Sequence, residues 1–295
     1  MKFDSYHPII NLIYFLVAIV TAIMFDHPVF LGIALAVSFA YSVKLNGMRG
    51  LVFNIIFALL PPCYAIYYSY YNHFGITNLG QNIIGNEITL EALVWGFVIG
   101  LSAFIVVMWF SCLFAVFTSD KFIYLFGKVS PKLSLFLSIL LRMIPSVKKK
   151  WRAIAIAQSG IGRGPGQGNF FRRMLNRCRM VSMIITWLLE NFILTTQSMK
   201  SRGYTLRGRT AFAVYRFDNR DRGVVIFMFI GITVILMAIL LDQTNIQYNP
   251  EIIFNKITAV SYVFYLCYLA FLIAPIILQL AYERKFSKLE MNFKK

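Results

Sequence analysis

The chain is poor in charge. Only 14% of its 295 residues are Asp, Glu, Lys or Arg, against about a quarter in soluble domains. Acidic residues are the scarcest, 12 against 29 Lys and Arg. The three histidines, His7, His27 and His73, are dispersed, and two of them directly precede proline. The four cysteines, Cys63, Cys112, Cys178 and Cys267, have no metal-ligand or redox spacing, and three lie inside apolar runs. The apolar runs themselves hold almost no ionisable side chains, which argues against a proton or ion pathway through this chain. Paired carboxylates, a histidine cluster or an activated nucleophile at usable spacing are also missing, so no catalytic residue is assigned and the chain is not expected to be an enzyme. The same scarcity leads us to expect no cofactor and no metal.

Apolar residues fill the space left by charge. They make up 59% of the chain, and the mean hydropathy is +0.68. Runs of about 17 apolar residues or more recur, long enough to cross a bilayer. A chain in lipid must satisfy its own backbone hydrogen bonds, and these runs lack the alternation of barrel strands. The expected fold is therefore an all-α polytopic membrane protein. Six spans are read: Ile9–Phe25, Pro28–Val43, Leu51–Tyr71, Ala92–Thr118, Gly223–Leu241 and Ile257–Tyr282. The first two are short and read as a hairpin turning at Asp26-His27-Pro28. Pro61-Pro62 is expected to kink the third span and Pro275 the sixth. Asn11 and Asn54 read as helix-packing hydrogen-bond formers. No cleavable signal peptide is expected at the N-terminus.

The positive charge is one-sided. With these spans, 28 of the 29 Lys and Arg fall on one face, and Lys256 is the exception. By the positive-inside rule that face is cytoplasmic, and so are both termini. The net charge of +17 is thereby explained without a nucleic-acid partner. Twenty of the basic residues lie between Lys121 and Arg222. The chain thus divides into N-terminal spans (1–118), a cytoplasmic helical insert (119–222), and C-terminal spans with a basic tail (223–295).

The segment Met180–Leu194 is 11 of 15 apolar and invites reading as a seventh span. Its flanks are basic on both ends, so crossing would expel one cluster and reverse everything downstream. Ser182, Thr186 and Glu190 also recur every four residues, one polar stripe on an apolar helix. The expectation is a helix packed on others or lying at the membrane surface. Upstream, Ser130-Pro131 reads as an N-cap with proline at the first helical position, and Pro145 is expected to kink or end the helix it follows.

Five alternate glycines, Gly160 to Gly168, then interrupt the pattern. They form neither a dinucleotide fingerprint nor a phosphate-binding loop, since Pro165 stands where the third glycine is needed and Gly-Lys-Ser/Thr is absent. A break between helices is the expectation. Two Arg-Gly pairs close predicted helices, Arg163-Gly164 and Arg202-Gly203. Glycine past a helix end with a cation in the last turn is a common stop signal. A guanidinium at such a tip can also grip a carboxylate on another subunit.

Taken together, Leu141-Arg-Met-Ile-Pro145, Ala157-Gln158, Arg163-Gly164, Ser201-Arg-Gly-Tyr204 and Arg209-Thr210 resemble the transmembrane (T) subunits of energy-coupling-factor transporters. These are ABC-type importers for vitamins and metal ions. The resemblance covers roughly residues 139–213. In the second motif Ser201 replaces the family's alanine. In the first, Gly162 stands where alanine is usual and Arg163 arrives about two residues late; a gapless match puts Ile161 at the arginine. Lys148-Lys149-Lys150 occupy positions where the family tends to be acidic. The resemblance implies that Arg163, Gly164, Ser201, Arg202 and Gly203 dock into two ABC ATPase subunits, supported by Pro145, Ala157, Gln158, Tyr204 and Arg209. It further implies a small substrate-binding membrane (S) subunit as partner, and a bacterial plasma membrane as location. Aromatic and Met side chains on Met180–Met199 would supply the adaptable apolar surface such a relay needs.

Two other readings compete. A membrane-embedded enzyme acting on an anionic lipid or polyprenyl phosphate would use the basic face to attract head groups, with Glu190, Asp218 and Asp221 as its candidate acids. A structural anchor holding anionic lipid or nucleic acid gives no reason for two Arg-Gly helix ends.

Overall fold

A computed structural model of the chain describes residues 3–81, 87–129, 131–204, 215, 217–253 and 258–293. A short 3-10 turn, Phe3–Ser5, precedes the helices α1 (Pro8–Met24), α2 (Pro28–Phe57), α3 (Leu60–Tyr71), α4 (Leu90–Val116), α5 (Ser119–Val129), α6 (Pro131–Gly160), α7 (Phe170–Ser201), α8 (Asn219–Leu240) and α9 (Ala259–Phe293). A small antiparallel hairpin, β1 (Asn78–Gln81) with β2 (Glu87–Thr89), leads into α4. The fold is that of an all-α polytopic membrane protein. By length and composition, α2 with α3, α4, α7, α8 and α9 can each cross a bilayer, and α1 is a shorter apolar helix. Many of their outward side chains, such as Leu16, Phe229, Leu240 and Leu266, are exposed. Lipid solvates such surfaces and water does not.

Contacts divide the chain into two compact units, Met1–Thr118 with Tyr215–Lys295, and Ser119–Val214. In the first unit the core is aromatic. Tyr14 stacks on Phe271 at 5.5 Å and meets Trp109 edge-on at 5.9 Å. Phe15 stacks on Tyr41 at 6.4 Å. Each ring buries a large apolar area, and tilted or offset pairs add to that gain. The Tyr14 hydroxyl is satisfied by donating to the carbonyl of Leu272 at 2.8 Å.

Several local expectations change in detail. The stretch between the second and third expected spans, residues 44–50, is helical, and α2 bends there at Gly47, whose φ of 59° and ψ of −140° leave the helical region. Pro61 and Pro62 interrupt the third span as expected, at Ala58–Leu59 between α2 and α3. They occupy the first turn of α3, where the missing N–H has no intrahelical partner to lose. Pro145 does not end α6, and Pro275 lies inside α9. Ser130, expected as the cap of α6, lies outside the described residues. Both His-Pro pairs are N-caps: the Nδ1 atoms of His7 and His27 accept from the backbone N–H of Ile9 (3.3 Å) and Val29 (3.2 Å). Proline then supplies the first helical position.

The first unit has two distinguishable ends. At one, the backbone N–H groups of Asp26 and His27 donate to the carbonyl of Thr244 at 3.2 and 3.0 Å. The Tyr248 hydroxyl donates to the carbonyl of Asp26 at 2.8 Å. Burial raises the Asp26 carboxyl above its usual range and lowers His27. Burial, then the nearby Asp26, push Tyr248 up to about 12. At the other end Lys44 pairs with Glu283 at 2.5 Å, Asn46 donates to Ser111 at 3.2 Å, and His7 meets Phe217 ring to ring at 6.0 Å. Ser111 is in the last turns of α4, just before the chain leaves this unit, and Phe217 is where it has just returned.

Candidate functional site

The second unit holds the motif residues. α6 and α7 run antiparallel. Met143 Sδ accepts from Asn191 at 3.8 Å, and Met183 Sδ from Gln158 at 3.9 Å. Between them, the Lys150 ammonium lies 5.5 Å from the centre of the Trp187 ring, a cation–π contact. Asn176, Met180 and Ile184 are the buried residues of α7. Roughly opposite on the helix, Met174, Val181, Ile185 and Leu189 are exposed, so α7 carries a second apolar stripe. Ser182, Thr186 and Glu190 are exposed beside it, and the Thr186 hydroxyl turns back to the Ser182 carbonyl at 3.1 Å.

Both helices end in the same motif. At the end of α7, Gly203 takes φ +71°. Its N–H donates to the carbonyl of Lys200 at 3.0 Å, and that of Tyr204 to Met199 at 3.1 Å. This pair of bonds is a Schellman cap, and glycine is the residue that enters the left-handed region without penalty. Arg202 immediately precedes the left-handed glycine and is exposed, as is Ser201. At the end of α6 the left-handed residue is Gly162, φ +77°. Its N–H donates to Ser159 at 3.2 Å, and that of Arg163 to Gln158 at 2.9 Å.

The two Arg-Gly pairs are therefore not equivalent. Arg202 lies just before its left-handed glycine, whereas Arg163 lies just after. The residue matching Arg202 at the end of α6 is Ile161. Gly164 is buried rather than presented. Its N–H donates to Gln167 Oε1 at 2.9 Å, its carbonyl accepts from Asn176 at 3.3 Å, and Gln167 also donates to the Ser159 carbonyl at 3.3 Å. Gly164 thus fastens the α6–α7 connection. The sequence did not mark Gly162 as the left-handed residue, because five alternating glycines leave that position undetermined, and nothing in it pointed to Gln167 or Asn176.

Of the supporting residues, Pro145, Ala157 and Gln158 lie in α6 and Tyr204 follows α7. Arg209 lies outside the described residues. Past Pro145, which has no N–H to donate, the Ser146 hydroxyl donates to the carbonyl of Arg142 at 3.3 Å. Of the candidate acids, Asp218 and Asp221 form a capping box at the start of α8, with the Asp218 N–H donating to Asp221 at 3.1 Å. Among the described residues no group of three or more His, Cys, Asp or Glu is placed to hold a metal.

These apolar helices define a multi-pass membrane protein of all-α fold. No protein-family model matches the chain, and no curated protein matches it in sequence.

Proposed function

We propose that this chain is the transmembrane coupling subunit of an importer of the energy-coupling-factor type. The unit Ser119–Val214 is cytoplasmic, and it relays the motion of two ABC ATPase subunits to a separate small membrane subunit that binds the substrate, a vitamin or a metal ion. Both chain termini are on the cytoplasmic side of a bacterial plasma membrane.

The observation that carries this reading is the end of α7. A 32-residue helix, some 48 Å long at 1.5 Å per residue, terminates in a Schellman cap that holds Ser201 and Arg202 outermost. A rigid rod with a guanidinium at its tip suits docking into a carboxylate-bearing groove on a moving partner. The exposed stripe of Met174, Val181, Ile185 and Leu189 offers the apolar surface on which a membrane partner can shift. The same residues make α7 long and apolar enough to cross a bilayer, but its flanking arginines and lysines favour the interface. The Lys44–Glu283 end of the first unit is the end where the chain departs for the insert, and it carries Lys44, Arg49, Arg284 and Lys285.

The test is purification from native membrane. The wild-type chain is expected to bring two ATPase chains with it, and Arg202→Glu to lose at least one. Retention of both by Arg202→Glu would count against docking through this tip. Turnover of a lipid by the purified chain alone would favour the enzyme instead.

A further inference from the structure

We infer that the groove between the bend of α2 and the last turns of α4 binds an anionic glycerophospholipid, with its phosphodiester on Arg49 and an acyl chain against Phe53 and Phe110. The inference needs only the membrane fold and is independent of the coupling reading.

The groove starts at Gly47, where α2 leaves helical geometry. Across that bend the Ser42 hydroxyl donates to Asn54 Oδ1 at 3.1 Å. A straight helix would hold residues twelve apart at roughly 18 Å, so the second limb of α2 runs back beside the first. Gly50 permits this approach, since a Cβ there would come within 2.7 Å of the Ser42 carbonyl oxygen. The Asn46 amide donates to the Ser111 hydroxyl at 3.2 Å and ties the bend to α4. The groove beside this tie has a volume of about 750 Å³, within the range of roughly 300–1,000 Å³ that holds small ligands.

Its lining is divided along the spans. Arg49, Asn46 and Ser111 line it at the level of the bend. Phe53 lies one turn past Arg49 on the returning limb, and Phe110 precedes Ser111 on α4, so the aromatic wall extends toward the middle of the spans. Among the described residues that line the groove, Arg49 alone is charged. It is exposed, and among the described residues neither its guanidinium nor the hydroxyl hydrogen of Ser111 has a partner. No carboxylate in the lining is there to receive the ammonium of a zwitterionic head group, and Glu283, at the same end, is paired with Lys44. Lipid is what solvates the flank of a spanning helix. A guanidinium at the end of a span is a bidentate donor to phosphate, and a basic pocket between spans favours anionic head groups.

The experiment titrates the detergent-purified full chain with phosphatidylglycerol and counts bound lipid by native mass spectrometry. Phosphatidylcholine with the same acyl chains and glycerol 3-phosphate, which has none, are run in parallel. One phosphatidylglycerol is expected to bind roughly tenfold more tightly than phosphatidylcholine, the scale of one charge-assisted contact, and glycerol 3-phosphate is expected not to bind. Arg49→Gln should lose the preference. The double variant Arg284→Gln, Lys285→Gln, at the same end but outside the lining, should keep it. Equal binding of the two lipids by wild type, an unchanged preference in Arg49→Gln, or an equal loss in the double variant would overturn the inference. Glycerol 3-phosphate binding as tightly as phosphatidylglycerol would overturn it too, by marking a site for a soluble phosphate. Melting of Arg49→Gln in lipid-free detergent, expected to match wild type, separates loss of the site from loss of the fold.

Discussion

Gly203 holds a backbone conformation that most side-chain-bearing residues enter only at a cost. At φ +71° an L side chain meets a penalty of roughly 1–2 kcal/mol. Gly203→Ala is expected to destabilise the protein by about that amount, read by thermal unfolding of the detergent-purified chain. Gly160 is helical, with open space where a Cβ would lie, so Gly160→Ala should be neutral or stabilising by up to about 1 kcal/mol. His27 gives a second test. Its Nδ1 accepts the Val29 N–H, so the neutral ring carries its proton on Nε2, towards the Tyr265 hydroxyl at 3.3 Å. Protonation would break the cap. The folded-state pKa is lowered, so the stabilisation is present above the ordinary value of 6.5 and lost as pH falls through the folded value. Asp26, raised by burial, acts in the opposite sense, its contribution being fully present below 3.8 and lost as pH rises through its folded value. His27→Asn keeps an N-cap acceptor and removes the titration. The fall in melting temperature from pH 8 to pH 5.5 should therefore be smaller in His27→Asn than in wild type. A pair such as His27-Pro28 reads from sequence only as a break, because histidine is an uncommon cap.

Helix packing adds a constraint that the apolar runs alone do not reveal. Gly96 and Gly100, four residues apart on α4, face α3. A Cβ at Gly100 would come within 2.8 Å of Pro61 Cα and 3.0 Å of its carbonyl oxygen, and one at Gly96 within 3.0 Å of Ala65 Cα. Small residues at this spacing let helix backbones approach in lipid. Gly100→Leu is expected to destabilise by about 1–3 kcal/mol, whereas Gly32→Leu, with nothing within 4 Å, should be close to neutral; thermal unfolding in detergent distinguishes them. The existence of the helices was legible because length and hydropathy decide it. Their bends were less so. Pro61 and Pro62 marked the interruption of the third span but not that a new helix starts there, and Gly47 read as a loop yet bends a helix, since the neighbouring turns decide which way such a residue acts. At the motif ends, the single glycine after Arg202 marks its cap, while the run from Gly160 to Gly168 hides which glycine reverses the chain.

For the molecule as a whole, the uneven charge is the main guide. The unit Ser119–Val214 holds most of the basic residues, and its helix α7 is apolar enough to span yet flanked by arginine and lysine. The coupling reading requires that its Arg202 tip face the cytoplasm. The most direct measurement replaces the four native cysteines, introduces Ser201→Cys at this exposed position, and applies a membrane-impermeant maleimide. The reading requires no labelling in intact cells and labelling in inverted membrane vesicles stripped of peripheral ATPase chains. Labelling of Ser201→Cys in intact cells would put the tip on the wrong side of the membrane and contradict it.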